Sequence, residues 1–545
     1  MKQLEILPLG GAGEIGRNCT LVTQGDDMLM VDCGISFPDE DMHGVDVVIP
    51  DFSYAVEHKD KLRGVVLTHA HEDHVGALSH LLRQVNVPIY ATQFTHAMIR
   101  PKLEERMDTR NLKTVTVRYG DLIPAGDLKF EFVRITHSIP ETSCIAIHSE
   151  HGVVLFTADF KFDFTPVDGK LSDLKRLTEL GESGVVCLLS DSTNVERPGF
   201  GPSEQLATDG FRKAFAEAPG RILITMFSSN IHRMQQAMDV AAETGRKVAV
   251  AGRRMEQTVD ICTQLGYINP PKGVRIRLDQ ASELPEDQVV ILTTGSQGEP
   301  MSALVQMSRE EYSRMRVREG DTILYSARPI PGNEAAIWQT TNRLFRLGAV
   351  VVHDANPPIH VSGHAYQDEL KMMINLTKPF YLAPVHGEPR HLHTYCEMAK
   401  AMGHAEHRMF KLQDGKKLII DETHAWLDDA TDGAELWIDK GGHIVSPQTV
   451  RDRMVLSDFG LVTAVAKISS TKGPLGVTLS SRGYSGSESS LSRAKEAAED
   501  ALGALGAKDL SNDGLVVGKV TDAINVMLQR QASLRPMIVA SIVRV

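Results

Sequence analysis

Residues 68–74 read Thr-His-Ala-His-Glu-Asp-His, and no other feature constrains the chain so strongly. Four side chains able to bind a metal, His69, His71, Asp73 and His74, fall within six positions. Imidazole nitrogen and carboxylate oxygen are donors suited to Zn2+ or Mn2+. The run follows the apolar stretch Gly-Val-Val-Leu, which places it in a turn after a strand. In such a turn His69 and His71 can face one way while Asp73 and His74 face another, an arrangement that serves two metals. A solvated polar loop is the bland alternative, but groups this dense are costly to leave unpaired.

Further ligands must come from elsewhere, and a recurring pattern supplies candidates. Short β-branched or Leu-rich runs end in polar residues: Met-Leu-Met-Val leads to Asp32, Phe-Val-Arg-Ile-Thr to His137, and Val-Val-Leu-Phe-Thr-Ala to Asp159. Similar runs lead to Asp191, Ser228 and His386. Continuous apolar runs of this length suit strands buried on both faces. Residues just beyond such strands collect along one sheet edge. His137, Asp159 and His386 are therefore candidates to complete metal shells, although each alone reads more simply as a hydrogen-bonded loop residue. The glycine after His386 suits a tight turn. Asp32 is expected to orient a ligand histidine rather than to bind metal.

Helical three- and four-residue spacing lies between these runs, giving an α/β layered class. Residues 206–352 form their own strand–helix set between candidate ligands at 1–205 and 353–440, as if one domain were inserted into another. A linker is expected at 441–455 and a small α+β domain at 456–545.

Other motifs carry two readings each. His-Val-Ser-Gly-His at 360–364 can build a phosphate pocket and supply an acid for a leaving group, or else form a structural turn or a third metal site. Ser228, Ser229 and Asn230 open a helical pattern, where they can cap the helix or help to bind phosphate. The Gly/Ser turn at 293–300 and Arg328 are further phosphate candidates. Gly-Ala-Gly-Glu-Ile-Gly at 11–16 matches the dinucleotide-binding fingerprint on paper, with Asp32 ending the next apolar run. The following residues, however, read as two strands around a Gln-Gly-Asp-Asp turn, so a glycine turn between strands is expected.

Bulk properties exclude several classes. Net charge is −12, which argues against a protein that coats nucleic acid but leaves room for a local basic channel. The six cysteines are scattered, without a Cys-x-x-Cys pair, and read as buried thiols rather than disulfides or zinc ligands. No apolar stretch approaches the ~20 residues of a membrane span. The N-terminal residues lack the layout of a secretory signal, so a cytoplasmic location is expected.

Taken together, the His-x-His-x-Asp-His run with Asp32, His137, Asp159 and His386 resembles the metallo-β-lactamase fold. Ser-Asp-Ser-Thr-Asn at 190–194, His-Val-Ser-Gly-His, Pro-Val-His-Gly-Glu at 384–388 and the inserted domain resemble its β-CASP nuclease branch. Gly-Gly-Ala-Gly-Glu-Ile-Gly-Arg-Asn, Thr-Gly-Ser-Gln-Gly-Glu-Pro and Arg-Pro-Ile-Pro-Gly-Asn-Glu narrow the resemblance to the bacterial ribonuclease J family.

That resemblance implies an αββα sandwich with an inserted β-CASP domain and a small C-terminal α+β domain. It implies two Zn2+ per subunit, with Mn2+ or Mg2+ possible in activity. One zinc would be held by His69, His71 and His137, the other by Asp73, His74 and His386, with Asp159 shared. Asp73 and Asp191 would serve the catalytic centre, His364 would act as general acid, and His360, Ser362 and His364 would meet RNA phosphate. The expected activity is 5′-to-3′ exonuclease cleavage, with Ser228, Ser229 and Ser362 favouring a 5′-monophosphate, plus endonuclease cleavage. Water activated between the metals would attack the phosphodiester. Single-stranded RNA, a homodimer or homotetramer, and an RNA-degradation complex are the implied partners. A small-molecule hydrolase and a non-catalytic scaffold subunit remain as alternatives; the inserted domain argues against the first and the intact ligands against the second.

Overall fold

The computed structural model describes residues 2–330, 332–532 and 534–545. The chain divides into two units: residues up to 36 with Ile49–Glu435, and Phe37–Val48 with Leu436–Val545.

Two sheets form the centre of the first unit. The eight-stranded sheet runs Ala425–Asp429, Lys416–Ile420, Leu4–Gly10, Cys19–Gln24, Asp27–Val31, Leu62–Val66, Ile89–Ala91, Thr114–Thr116. The six-stranded sheet runs Tyr381–Val385, Val185–Asp191, Gly152–Phe156, Ser143–Ser149, Leu128–Arg134, Ile123–Ala125. Between them lies a core that includes Ile6, Val22, Leu29 and Val66 from one sheet and Phe130, Ile145, Val154 and Leu189 from the other. The alternate residues of the six-stranded sheet, such as Ala146, Leu155, Leu188 and Leu382, pack on helices Leu174–Ser183, Gln367–Thr377 and Pro389–Ala401. Both faces of these strands are therefore buried, which explains why they read as unbroken apolar runs. Helices Ser53–Glu57, Leu78–Leu82 and Gln93–Arg106 are threaded between strands of the eight-stranded sheet. The result is the αββα sandwich that the sequence implied.

The glycine-rich segment 11–16 joins Leu4–Gly10 to Cys19–Gln24, which pair antiparallel. No helix opens there, so the dinucleotide fingerprint is a coincidence of spacing.

A five-stranded parallel sheet makes the inserted domain, in the order Lys247–Ala251, Val289–Thr293, Ile222–Thr225, Thr322–Tyr325, Val350–Val352. One face packs on helices Gln205–Glu217, Ile231–Glu243 and Arg253–Gln264, the other on Ala303–Ser308 and Glu334–Arg346. The first of these two cores also takes in Ala70, Phe94, Met98 and Ile139 of the sandwich. The inserted domain is thus joined to the ligand-bearing loops by a continuous apolar core.

In the second unit, strands Gly473–Arg482, Leu461–Ser469 and Met537–Arg544 lie side by side. Helices Glu488–Gly503 and Asp513–Ala532 pack on one face through Ala494, Ala498, Val516 and Ile524. Residues 441–455, read from the sequence as a linker, contain strand Ile444–Val445 and much of helix Pro447–Phe459. Ser446 caps that helix by accepting from the Thr449 amide, and Pro447 occupies its first turn. All six cysteines are free and buried. Among the described residues no helix is long and apolar enough to cross a membrane.

Phe94 is fully buried in the core shared by the sandwich and the inserted domain, its ring 4.8 Å from that of Tyr267. Phe94→Ala is expected to cost about 3–5 kcal/mol of stability, read as a lower midpoint in urea unfolding. A loss below about 1 kcal/mol would show that the two domains do not share this core.

Candidate metal centre and its surroundings

The candidate ligands meet at one edge of the sandwich. Gly152–Phe156, Val185–Asp191 and Tyr381–Val385 are parallel neighbours, so the residues beyond them arrive together. They deliver Asp159, Asp191 and His386. Asp27–Val31 and Leu62–Val66, parallel in the other sheet, deliver Asp32 and the 68–74 run. The last part of that run forms a single helical turn, Glu72–Val75. The turn separates Asp73 and His74 in direction from His69 and His71.

Among the described residues, two groups of ligand atoms result from these candidates, and a third, Asp191, His364 and His386, adjoins the second through His386. The first holds His69, His71, His137 and Asp159, and the second Asp73, His74, Asp159 and His386; within each, the ligand atoms lie within 4.8 Å of one another. In the first, His69 Nε2 is 3.0 Å from His71 Nδ1, and His137 Nε2 is 3.3 Å from the same atom. In the second, His386 Nε2 is 3.1 Å from Asp73 Oδ2. Asp159 belongs to both. Its Oδ2 is 3.7 Å from His69 Nε2, and its Oδ1 is 3.3 Å from His74 Nε2.

Neighbouring groups fix which nitrogen of each ring is free. Asp32 Oδ2 lies 2.7 Å from Nδ1 of His74, so that nitrogen carries the proton and Nε2 faces Asp159. The Thr68 hydroxyl donates to Asp32 and sits 3.0 Å from His69 Nδ1, which must then donate to it. His137 donates from Nδ1 to the Gly363 carbonyl at 2.8 Å. The Thr193 hydroxyl donates to the His386 carbonyl and accepts from His386 Nδ1. Each of these rings thereby keeps its Nδ1 proton on a partner outside the cluster and turns Nε2 toward it, the nitrogen a metal would take in place of a proton.

The electrostatics fit a pair of cations. Burial holds His69, His71 and His137 below the ordinary imidazole range, His71 at about 4, so the first group is neutral and ready to ligate. Burial also opposes charge on His386, but Asp159, Asp191 and Asp73 outweigh it and raise its pKa to about 10. Protons there occupy a place where the carboxylates call for positive charge. Asp159 Oδ1 is buried without a hydrogen-bond donor. An orphaned carboxylate oxygen between imidazole nitrogens is what a shared metal ligand looks like without its ion.

Backbone geometry supports the cluster. Asp32, Ala158 and His386 adopt positive φ of 61°, 55° and 51°, conformations rare outside glycine. The turn after Tyr381–Val385 places its left-handed residue at His386 itself. Gly387 is needed instead for close approach, since a Cβ there would lie 2.3 Å from Ser192 Oγ.

The second ring of candidates is brought in unevenly. His364 Nδ1 is 2.9 Å from Asp191 Oδ2. Burial opposes its charge, yet Asp191 and Asp159 raise its pKa. The Asn194 amide donates to Ser362 Oγ at 2.8 Å and to the His364 carbonyl at 3.1 Å. His360 is engaged by Arg233 rather than by this network. Ser228 and Ser229 form the turn before helix Ile231–Glu243. Of the three cap candidates Asn230 holds the cap position, without a side-chain capping bond. Thr68, Thr193 and Asn194 lie within motifs quoted from the sequence, but the sequence assigned them no role.

Four family models match in succession. They are the metallo-beta-lactamase superfamily over residues 12–231, the ribonuclease J beta-CASP domain over 219–344, the Zn-dependent metallo-hydrolase RNA specificity domain over 356–409, and the ribonuclease J C-terminal domain over 448–545. A ribonuclease J of Synechocystis is 42% identical over 473 residues, 86% of this chain and 73% of that one. A ribonuclease J 2 of Staphylococcus epidermidis is 33% identical and covers 99% of this chain and 98% of its own. A crystal structure of a protein of unknown function from Enterococcus faecalis shares the fold, with a TM-score of 0.53 and 14% identity over 77% of this chain and all of that one.

Two sheets with paired His/Asp clusters at one edge define a divalent-metal-dependent hydrolase of the metallo-β-lactamase superfamily. More narrowly, the chain belongs to the ribonuclease J family: it is a metal-dependent ribonuclease and it binds RNA. The readings as a small-molecule hydrolase or an inactive scaffold are thereby set aside.

Asp32→Ala removes the group that fixes the His74 tautomer. It is expected to weaken metal binding at the second group about 10–100-fold, measured by competition with a calibrated chelator. Unchanged affinity would remove Asp32 from the metal machinery.

Proposed function

We propose that this chain binds two Zn2+ ions and degrades single-stranded RNA from the 5′ end, preferring a 5′-monophosphate, with endonuclease cleavage as a second activity. The observation that carries this reading is the pair of ligand groups sharing Asp159, with His364 and Asp191 beside them. His69, His71 and His137 would hold one metal, and Asp73, His74 and His386 the other, with Asp159 available to both. Once bound, the metals supply Lewis acidity, making water nucleophilic near neutral pH and neutralising charge on the phosphoryl oxygens.

The protein's own groups supply positioning and a proton. Asp191 raises the pKa of His364 and so favours the protonated ring that gives its proton to the departing ribose oxygen. Asp191 also accepts from the Thr193 amide, which ties the acid to the segment that orients His386. Ser362 Oγ accepts from Asn194 and, at 3.3 Å, from the His364 amide, so its hydroxyl proton is free for a phosphate oxygen. His360, with Ser228 and Ser229 at the start of helix Ile231–Glu243, completes the phosphate pocket. RNA maturation and mRNA decay in the cytoplasm, as a homodimer or homotetramer and within an RNA-degradation complex, are the setting this activity suits.

One RNA prepared with a 5′-monophosphate and with a 5′-triphosphate tests the reading. Mononucleotide release, faster from the monophosphate, is expected; absence of metal-dependent cleavage of either would overturn it. His71→Ala is expected to lose metal and activity together. His364→Ala is expected to keep its metal and slow about 10²–10⁴-fold, and loss of metal would remove it from the role of acid.

A further inference from the structure

Arg233 is a fully buried guanidinium in contact with the 360–364 segment. It stands on helix Ile231–Glu243 of the inserted domain. Nε and Nη2 donate to Glu204 Oε1 at 3.0 and 2.5 Å. Nη1 donates to the Ser326 carbonyl at 3.2 Å and lies 2.6 Å from His360 Nδ1. Nη2 reaches the Val361 carbonyl at 3.4 Å. All three nitrogens are engaged and none is exposed, so Arg233 does not itself meet RNA.

The contact with His360 has one chemical solution. A guanidinium has donors only, so His360 Nδ1 must accept. The proton of the neutral ring is then on Nε2, the one donor the ring has left. A proton on Nδ1 would confront the guanidinium. Burial, together with the charges of Arg233 and Arg328, keeps His360 well below its ordinary pKa, against the Ser326 carbonyl, which favours a ring proton. Lysine could not replace Arg233, because a single ammonium cannot reach a carboxylate, two carbonyls and an imidazole from a fixed planar fork.

We propose that Arg233, anchored by Glu204, is a positioning residue for RNA: it fixes His360 as a neutral Nε2–H donor aimed at a backbone phosphate oxygen. This rests on the reading of His360 as an RNA contact. Because Arg233 sits on the inserted domain's helix, seating of that helix sets the RNA-binding geometry of the 360–364 segment.

A double-mutant cycle on a 5′-monophosphorylated oligoribonucleotide tests the inference. Arg233→Lys and His360→Ala are each expected to raise KM about tenfold or more, with kcat within about twofold. Arg233→Lys placed in the His360→Ala background is expected to add nothing. The same fold-increase in both backgrounds would overturn the inference, since Arg233 would then act through general packing. Unchanged KM in His360→Ala alone would overturn instead the reading of His360 as an RNA contact. Should Arg233→Lys fail to fold, nitrogen-15 histidine spectra of the wild-type chain decide, with His360→Ala giving the assignment: an Nε2–H tautomer is expected, and an Nδ1–H tautomer or an imidazolium would overturn the proposal.

Discussion

The carboxylate of Asp159 is the point on which the site turns. One oxygen approaches the first histidine group and the other approaches the second, and neither is open to solvent. A buried carboxylate among imidazoles is unfavourable unless a cation joins them. The proposed metal pair meets this demand, and the surroundings are arranged for it. Four rings have their tautomers set by Asp32, Thr68, Gly363 and Thr193. Each of those partners is itself held by the sheet edge or by the loop beside it.

Rigid delivery follows from the topology. Parallel neighbouring strands bring Asp159, Asp191 and His386 to one place with little loop between strand and ligand. Strained positions at Asp32, Ala158 and His386 persist because packing over-determines them. Gly34 shows how tight the fit is: a Cβ there would lie 1.6 Å from the Asp73 carbonyl oxygen. The segment that presents Asp73 and His74 therefore rests directly on the backbone after Asp32.

Much of this was legible in the sequence, for local reasons. The 68–74 run concentrates its chemistry in seven residues, and buried parallel strands announce themselves as unbroken apolar runs, so His137, Asp159 and His386 could be picked out at their ends. Local pattern misled where tertiary packing decides. Residues 447–455, read as part of a linker, lie in a helix capped by Ser446. Of Ser228, Ser229 and Asn230, all candidates to cap helix Ile231–Glu243, Asn230 takes the cap position but makes no side-chain capping bond. Gly387 was read as a turn residue, whereas it is a contact residue. Arg233 and Glu204 were invisible as a pair because 29 positions separate them, and His360 lies 127 beyond Arg233. No periodicity reports a contact at that range.

The central claim is that Asp159 joins two metals into one site. Electron paramagnetic resonance of the chain loaded with two equivalents of Mn2+ tests it most directly. Two Mn2+ ions held by ligand groups that share one carboxylate would give an exchange-coupled pair. Signals of two isolated Mn2+ ions, with RNA cleavage intact, would contradict the account.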